Sequence, residues 1–404
     1  MKVDSRFQSL RRALLIAALV LTPACATTRQ AVKPAHVVVP VPLPSPPAPP
    51  EKPARKVFAE AVAAFDVGDY ETAEKGFREV LEKAPEMLDA WFNLGLIAER
   101  LGRLPDARDA YEKVRLLEPR HVPTLLNLGR LYRIQEKYAE AISLYEDGLK
   151  VPELAQEVSL LNNLIVAYRL AGKYSQAEAT ARRVLARHPD DAEAYKNLAL
   201  VYYEQGRYRL AELVLANARK LDEKDPGIYN NLGMIYLKLD DRPRALSQFQ
   251  KAVSLDERFA PGYLNLGALA LAWRDYAGAE RAFSRVTELE PDSLEAWLYH
   301  AYALDGQKGR DPRKGLSAGE AFEKVLALRA DHPEALCGAG HAYAVERSGW
   351  DKAIPFLQKC KELDTTSPEE RQRIEAKLQG IEAMRKSRQL QTPEPAPEEG
   401  PQAE

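Results

Sequence analysis

Residues 91–95 read Trp-Phe-Asn-Leu-Gly and residues 125–129 read Leu-Leu-Asn-Leu-Gly, the second stretch beginning 34 residues after the first. Outward from these two, the same interval recurs along most of the chain. Ala73, Ala107, Ala141, Ala177, Ala211, Ala245, Ala279, Ala318 and Ala353 follow one another at 34, 34, 36, 34, 34, 34, 39 and 35 residues. Four residues after them stand Phe77, Tyr111, Tyr145, Ala181, Leu215, Phe249, Phe283, Phe322 and Leu357, most of them large and apolar. Ahead of seven of them comes a small residue: Ala61, Gly95, Gly129, Ala199, Gly233, Gly267 and Ala301. Pro85, Pro119, Pro189 and Pro291 close their units at one common offset. A period of this length, with small and large residues at fixed places, marks a stack of short supersecondary units.

The pattern resembles the tetratricopeptide repeat, which runs Trp-x2-Leu-Gly-x2-Tyr, then Ala-x3-Phe, then Pro, on a 34-residue period. Each unit is then two antiparallel helices. The small residues let the pair approach while large neighbours fill the gap. Gly68, Gly102, Gly172 and Gly206 stand between the helices, where a left-handed residue ends the first one. The reading is an all-α fold: an α-solenoid of about nine units over residues 54–364, for which the resemblance implies a right-handed superhelix. Ser367-Pro368-Glu369-Glu370 starts a further helix, and Ile374, Leu378 and Ile381 give it one apolar stripe. Over residues 365–391 that helix is expected to cover the open end of the ninth unit, because a terminal repeat lacks a neighbour.

The ends of the chain are of another kind. Lys2, Arg6, Arg11 and Arg12 precede the apolar run Ala13 to Leu21, which is nine residues long and far short of the roughly 20 that span a bilayer. Residues 1–24 therefore read as a signal peptide. Leu21-Thr22-Pro23-Ala24-Cys25-Ala26 resembles a bacterial lipoprotein cleavage site, with Thr22 where Leu is usual and Pro23 in an unusual place. The resemblance implies a lipid on Cys25. Ala26 in place of Asp is similar to the outer-membrane sorting pattern, so the expected location is the outer membrane facing the periplasm. An ordinary signal peptide with an incidental cysteine is the alternative, and it gives a soluble periplasmic or secreted protein. Residues 25–53 form a linker, with nine prolines between Ala31 and Pro53, which cannot pack and extends about 3.1 Å per residue. Residues 392–404 read as a disordered, acidic, proline-rich tail.

Lys and Arg total 57 against 59 for Asp and Glu, a net charge of -2, so no basic surface speaks for nucleic acid. The six histidines stand in no HExxH or Cys-x2-Cys context, and no phosphate-binding glycine loop or nucleophile motif appears. No catalysis, metal or cofactor is expected. Cys337 and Cys360 fall on the first and second helices of the ninth unit, and the repeat register predicts two separate thiols.

In the repeat family the first helices line a groove that is the usual ligand surface. One register position there carries Asn93, Asn127, Asn163, Asn197, Asn231 and Asn265 in six successive units. The row resembles the asparagine ladder of the O-linked N-acetylglucosamine transferase repeat domain, and an amide can both donate to and accept from a peptide backbone. Two readings stand side by side: a grip on an extended peptide, or local hydrogen bonds between neighbouring helices. Arg130, Arg133 and Arg169 on the same side would meet an acidic ligand or form a solvated cluster. Tyr203, Met234, Leu237, Leu264 and Leu271 give the middle an apolar character. The function expected is a membrane-tethered scaffold that binds proteins or extended peptides, resembling the repeat lipoproteins of pilus assembly, gliding motility or envelope assembly. A periplasmic chaperone or adaptor, and an accessory of exopolysaccharide synthesis or export, are the alternatives.

Overall fold

The computed structural model describes residues 52–389. The expected signal segment, Cys25, nearly all of the linker and the tail from residue 392 lie outside the described residues. Within them the chain forms nineteen α-helices and no strand. In order these are α1 (Lys52–Asp66), α2 (Tyr70–Lys83), α3 (Leu88–Arg100), α4 (Leu104–Leu117), α5 (Val122–Ile134), α6 (Tyr138–Lys150), α7 (Val158–Leu170), α8 (Tyr174–Arg187), α9 (Ala192–Glu204) and α10 (Tyr208–Leu221). There follow α11 (Pro226–Lys238), α12 (Arg242–Leu255), α13 (Ala260–Ala272), α14 (Tyr276–Leu289), α15 (Leu294–Asp305), α16 (Arg313–Leu328), α17 (Pro333–Tyr343), α18 (Trp350–Glu362) and α19 (Pro368–Gln389). The helices fall into nine pairs and a final single helix, as the repeat predicts. They form two compact units that part between Gln248 and Phe249, inside α12.

Each pair is held by one recurring contact. The residue four after the key alanine is fully buried: Phe77, Tyr111, Tyr145, Phe249, Phe283 and Phe322 are at most 1% exposed, and burying such a ring is worth roughly 1.5–3 kcal/mol. Opposite it there is no room for a side chain. A Cβ built at Gly267 would lie 2.6 Å from Phe283 Cζ, and one at Gly129 would overlap the Tyr145 ring. The fourth pair reverses the arrangement. There Ile165 takes the small-residue place and Ala181 the ring place, both fully buried, so the sum of volumes is kept.

The turn inside each pair is also repeated. Gly68, Gly102, Gly172 and Gly206 have φ between +70° and +83°, and Glu136, Asp240 and Arg274 adopt the same left-handed conformation at φ of +57° to +60° at the equivalent places. The turn geometry is therefore set by the repeat, and glycine only makes it easier. The insertion between the third and fourth pairs forms a short 3-10 turn, Pro152–Leu154, that buries Leu154. The longer insertion between Asp305 and Arg313 is pinned to the preceding pair. Gln307 Nε2 donates to Glu280 Oε2 at 2.7 Å and to the Tyr276 carbonyl at 3.3 Å, and Lys314 Nζ meets Glu280 at 2.6 Å.

The two cysteines correct the expectation of separate thiols. Cys337 and Cys360 are joined by a disulfide, with their Cα atoms 4.9 Å apart. Cys360 stands seven residues after Ala353, the register of Val80, Val114, Val184, Val286 and Val325, all of them buried. That register faces the first helix of the same pair, which brings the sulfurs together. Beyond this pair, Ser367 Oγ accepts from the Glu370 amide at 3.2 Å to start α19. Ile374 and Ile381 then bury against the core that contains Ala353, Leu357 and Cys360, with Leu378 packed beside them. His341 Nε2 on α17 lies 2.7 Å from Glu370 Oε1 and fixes the same contact.

Gly129→Leu should destabilise the protein by about 1–3 kcal/mol or more, because a branched side chain must displace the Tyr145 ring. Hydrogen exchange should show protection lost first in α5 and α6. Equal loss along all nine pairs would contradict pairwise packing.

Candidate functional site

Within the first unit, successive first helices touch: α5 against α7, α7 against α9, and α9 against α11. Among the described residues the second helices α4, α6, α8 and α10 make no contact of comparable extent with one another. Elements inside a bend come closer than those outside it. This stack therefore bends toward its first helices, and they line a concave face. In the second unit α13 likewise touches α15.

The asparagine row lies on first helices, and four of its amides are hydrogen-bonded within the protein. Asn93 Nδ2 donates to the Asp89 carbonyl at 2.7 Å and Asn163 Nδ2 to the Ser159 carbonyl at 2.9 Å, each one turn back in its own helix. Asn127 Nδ2 reaches the Tyr111 hydroxyl at 3.3 Å, and Asn197 Nδ2 reaches the Asn162 carbonyl on the preceding first helix at 3.5 Å. Asn197, Asn231 and Asn265 are buried. The bonds of Asn127 and Asn197 tie one helix to another, those of Asn93 and Asn163 stay within their own helix, and Asn93, Asn127 and Asn163 remain partly exposed.

The arginines are not a solvated cluster. Arg169 is only 2% exposed and pairs with Glu204; Arg130 pairs with the buried Glu99. A charge removed from water persists only beside a partner, so both pairs bind neighbouring repeats. Arg133 differs. Its Nη1 donates to Asn163 Oδ1 at 2.8 Å and to the Asn163 carbonyl at 3.4 Å, and among the described residues no carboxylate pairs with it. Burial holds its pKa below the usual guanidinium value, and the Arg130 and Arg169 charges add to the depression. Tyr203 is buried and packs edge-on against Tyr208 at 5.6 Å, so it contributes to the interface rather than to an open wall. Burial, followed by Tyr208 and Glu204, raises its phenol pKa.

Sequence reasoning missed the partners that order this face. Asn162 Nδ2 donates to Asp191 at 3.2 Å, and Lys196 Nζ meets Asp225 at 2.7 Å. Both aspartates also accept from a backbone amide at the start of the next first helix. Burial works against the Lys196 charge, but Glu193 and Asp225 outweigh it and raise its pKa. The signal was present as complementary polar residues 29 to 35 positions apart on neighbouring first helices. What remains partly open on the first helices includes Arg133 and several apolar side chains. Leu126, Val166 and Leu237 are partly exposed in the first unit, as are Leu264 and Leu271 in the second, while Met234 is buried. Among the described residues no group of His, Cys, Asp and Glu is arranged to hold a metal ion.

Changing Asn163, Asn197 and Asn231 together to alanine should lower stability by about 1.5–4.5 kcal/mol, at about 0.5–1.5 kcal/mol for each of the three bonds that Asn163 and Asn197 make. Urea unfolding followed by circular dichroism measures this. An unchanged midpoint would show that the amides do not hold the helices.

Comparison with known proteins agrees with this architecture. A family model described as "Tetratricopeptide repeat" matches residues 58–118, 126–192, 162–227 and 197–263. The chain is 30% identical over 138 residues to Protein FlbA of Caulobacter vibrioides, covering 34% of this chain and 23% of that protein, so it spans less than a quarter of that relative. Among solved structures it resembles a tetratricopeptide repeat protein from Parabacteroides merdae, with 20% identity, a TM-score of 0.55, and 62% of this chain and 98% of that one covered. The overlap with the crystal structure of PilW, a type IV pilus biogenesis factor, has 18% identity and a TM-score of 0.44 over 50% of this chain and 94% of that one. That last overlap is too low to bear on function. The 34-residue period, the paired helices and the family match together make this chain a tetratricopeptide-repeat protein.

Proposed function

We propose that the chain is a membrane-tethered scaffold of a bacterial cell envelope, holding partner proteins or extended segments of them against the concave first-helix face. The observation that carries this reading is how that face is built. Many of its polar side chains are bonded to each other across successive repeats, which holds the surface in place before a partner arrives, and apolar side chains such as Leu126, Val166 and Leu237 remain partly exposed beside them. A preformed surface lowers the ordering cost of binding. Protein binding is also what the repeat fold is suited to, because stacking creates an extended concave surface.

The tether rests on the sequence. Lys2, Arg6, Arg11 and Arg12, the short apolar run and the Leu21-to-Ala26 stretch together support export and a lipid on Cys25, and Ala26 favours the outer membrane. The Cys337–Cys360 disulfide is consistent with an oxidising compartment. The proline-rich linker would then hold the repeats away from the bilayer.

Cys25→Ser should move the protein from the membrane fraction to the soluble fraction and abolish labelling by a fatty-acid probe. Membrane association of the unlabelled wild type would contradict the tether. Leu126→Glu with Leu237→Glu should abolish partner co-purification while leaving helical content unchanged. The pair Leu116→Glu and Leu213→Glu, on exposed sites of the second helices, should not. The reverse result would place binding on the outer face.

A further inference from the structure

Three arginines on the first helices of the first unit meet only two carboxylates. Arg130, Arg133 and Arg169 lie on successive first helices α5 and α7, and two carboxylates answer them: Glu99 on α3 pairs with Arg130, and Glu204 on α9 pairs with Arg169. The layer holds three cations and two anions. The unmatched one is Arg133, which stands near enough to feel both other charges and is tied by Nη1 alone to a neutral residue, Asn163. Beneath it lies Tyr145, a fully buried phenol whose hydroxyl has no hydrogen-bond partner. Glu99 Oε1 and Arg169 Nε are likewise buried without partners. An unpaired charge in a half-buried place opposes folding, and natural sequences keep such a group where it meets something absent from the chain itself.

We propose that Arg133 is a carboxylate-reading point in the groove, taking an acidic side chain of an extended partner segment whose apolar neighbours rest on Leu126 and Val166. This rests on the groove reading given above and adds the chemistry of the partner. Charge complementarity selects the occupant. The site has one net positive charge, a planar guanidinium with Nη2 and Nε not engaged by any described residue, and flanking cations that repel a basic side chain. A guanidinium matches a carboxylate in two parallel hydrogen bonds. Because Glu99 and Glu204 already hold the flanking arginines in place, the partner's acid would meet a fixed donor.

The test uses fluorescence anisotropy at low salt with the full chain and four labelled peptides: a capped peptide of alternating Glu and Ser, its Gln and Lys counterparts, and the Gln peptide with a free C-terminus. The wild type should prefer the Glu peptide over the capped Gln peptide by about tenfold or more, the discrimination one charge-assisted hydrogen bond supplies. The preference should shrink as salt is raised. Arg133→Gln, which keeps a donor for Asn163, should lose the preference while its melting temperature stays level or rises, because an uncompensated charge has been removed. Arg133→Lys should keep part of the preference.

Three results would overturn the proposal: equal binding of the Glu and Gln peptides by the wild type, a preference that survives Arg133→Gln, or early melting of that variant, which would make Arg133 a structural bridge to Asn163. Tight binding of the free C-terminus alone would also overturn it, since the acid read would then be terminal. If the Glu peptide fails while Leu126→Glu with Leu237→Glu still abolishes partner binding, the groove reading stands and only the acid-reading role falls.

Discussion

Where the two helices of a pair come closest there is space for one large side chain and none opposite it. Everything else in the structure follows from keeping that exchange intact. Gly129 gives way to Tyr145 and Gly267 to Phe283, and in the fourth pair the roles reverse as Ile165 faces Ala181. Since a close-packed interior tolerates swaps that conserve volume and resists those that do not, the chain can vary the identity of the pair but not its sum. The same contact fixes the angle between helices, and so fixes which side chains the first helices present to the concave face.

That face shows how a polar groove is made rigid. Asparagines, arginines and lysines that would be mobile on an isolated helix are joined across repeats: Arg130 to Glu99, Arg169 to Glu204, Lys196 to Asp225, Asn162 to Asp191. Such pairs add little net stability when both charges leave water. Their effect is on register, because each joins one first helix to the next. The second helices carry a separate set on the outside. There Glu74 meets Arg103 at 2.5 Å and Glu178 meets Arg207 at 3.4 Å, each ion pair joining one unit to the next. Exposed pairs of that kind contribute at most about 1 kcal/mol each.

Much of this was legible in the sequence, because the information lay along one axis. The spacing of nine alanines places the helices, the small and large partners give the core, and Ser367 with the stripe Ile374, Leu378 and Ile381 gives the closing helix. The candidate site was legible only in part. Periodicity locates Asn197 or Arg169 on a helix face, but it does not say what closes over that face from the neighbouring repeat. Asn197 is therefore buried rather than presented, and Arg169 is enclosed with Glu204 rather than solvated. The cysteines failed for a related reason. Cys337 and Cys360 were placed by helix register alone, while their meeting depends on the second-helix position that elsewhere holds Val80 or Val114, which faces the first helix of the same pair.

The account makes the concave first-helix face the surface that meets the partner. Site-specific photo-crosslinking in cells tests this most directly, with the photoreactive residue placed singly at Leu96, Leu126, Val166 and Leu237 on first helices and at Leu116 and Leu213 on second helices. All six positions are at least partly exposed. The prediction is that the first-helix positions yield one common crosslinked species and the second-helix positions do not. A species captured from Leu116 and Leu213 and absent from the first-helix positions would contradict it.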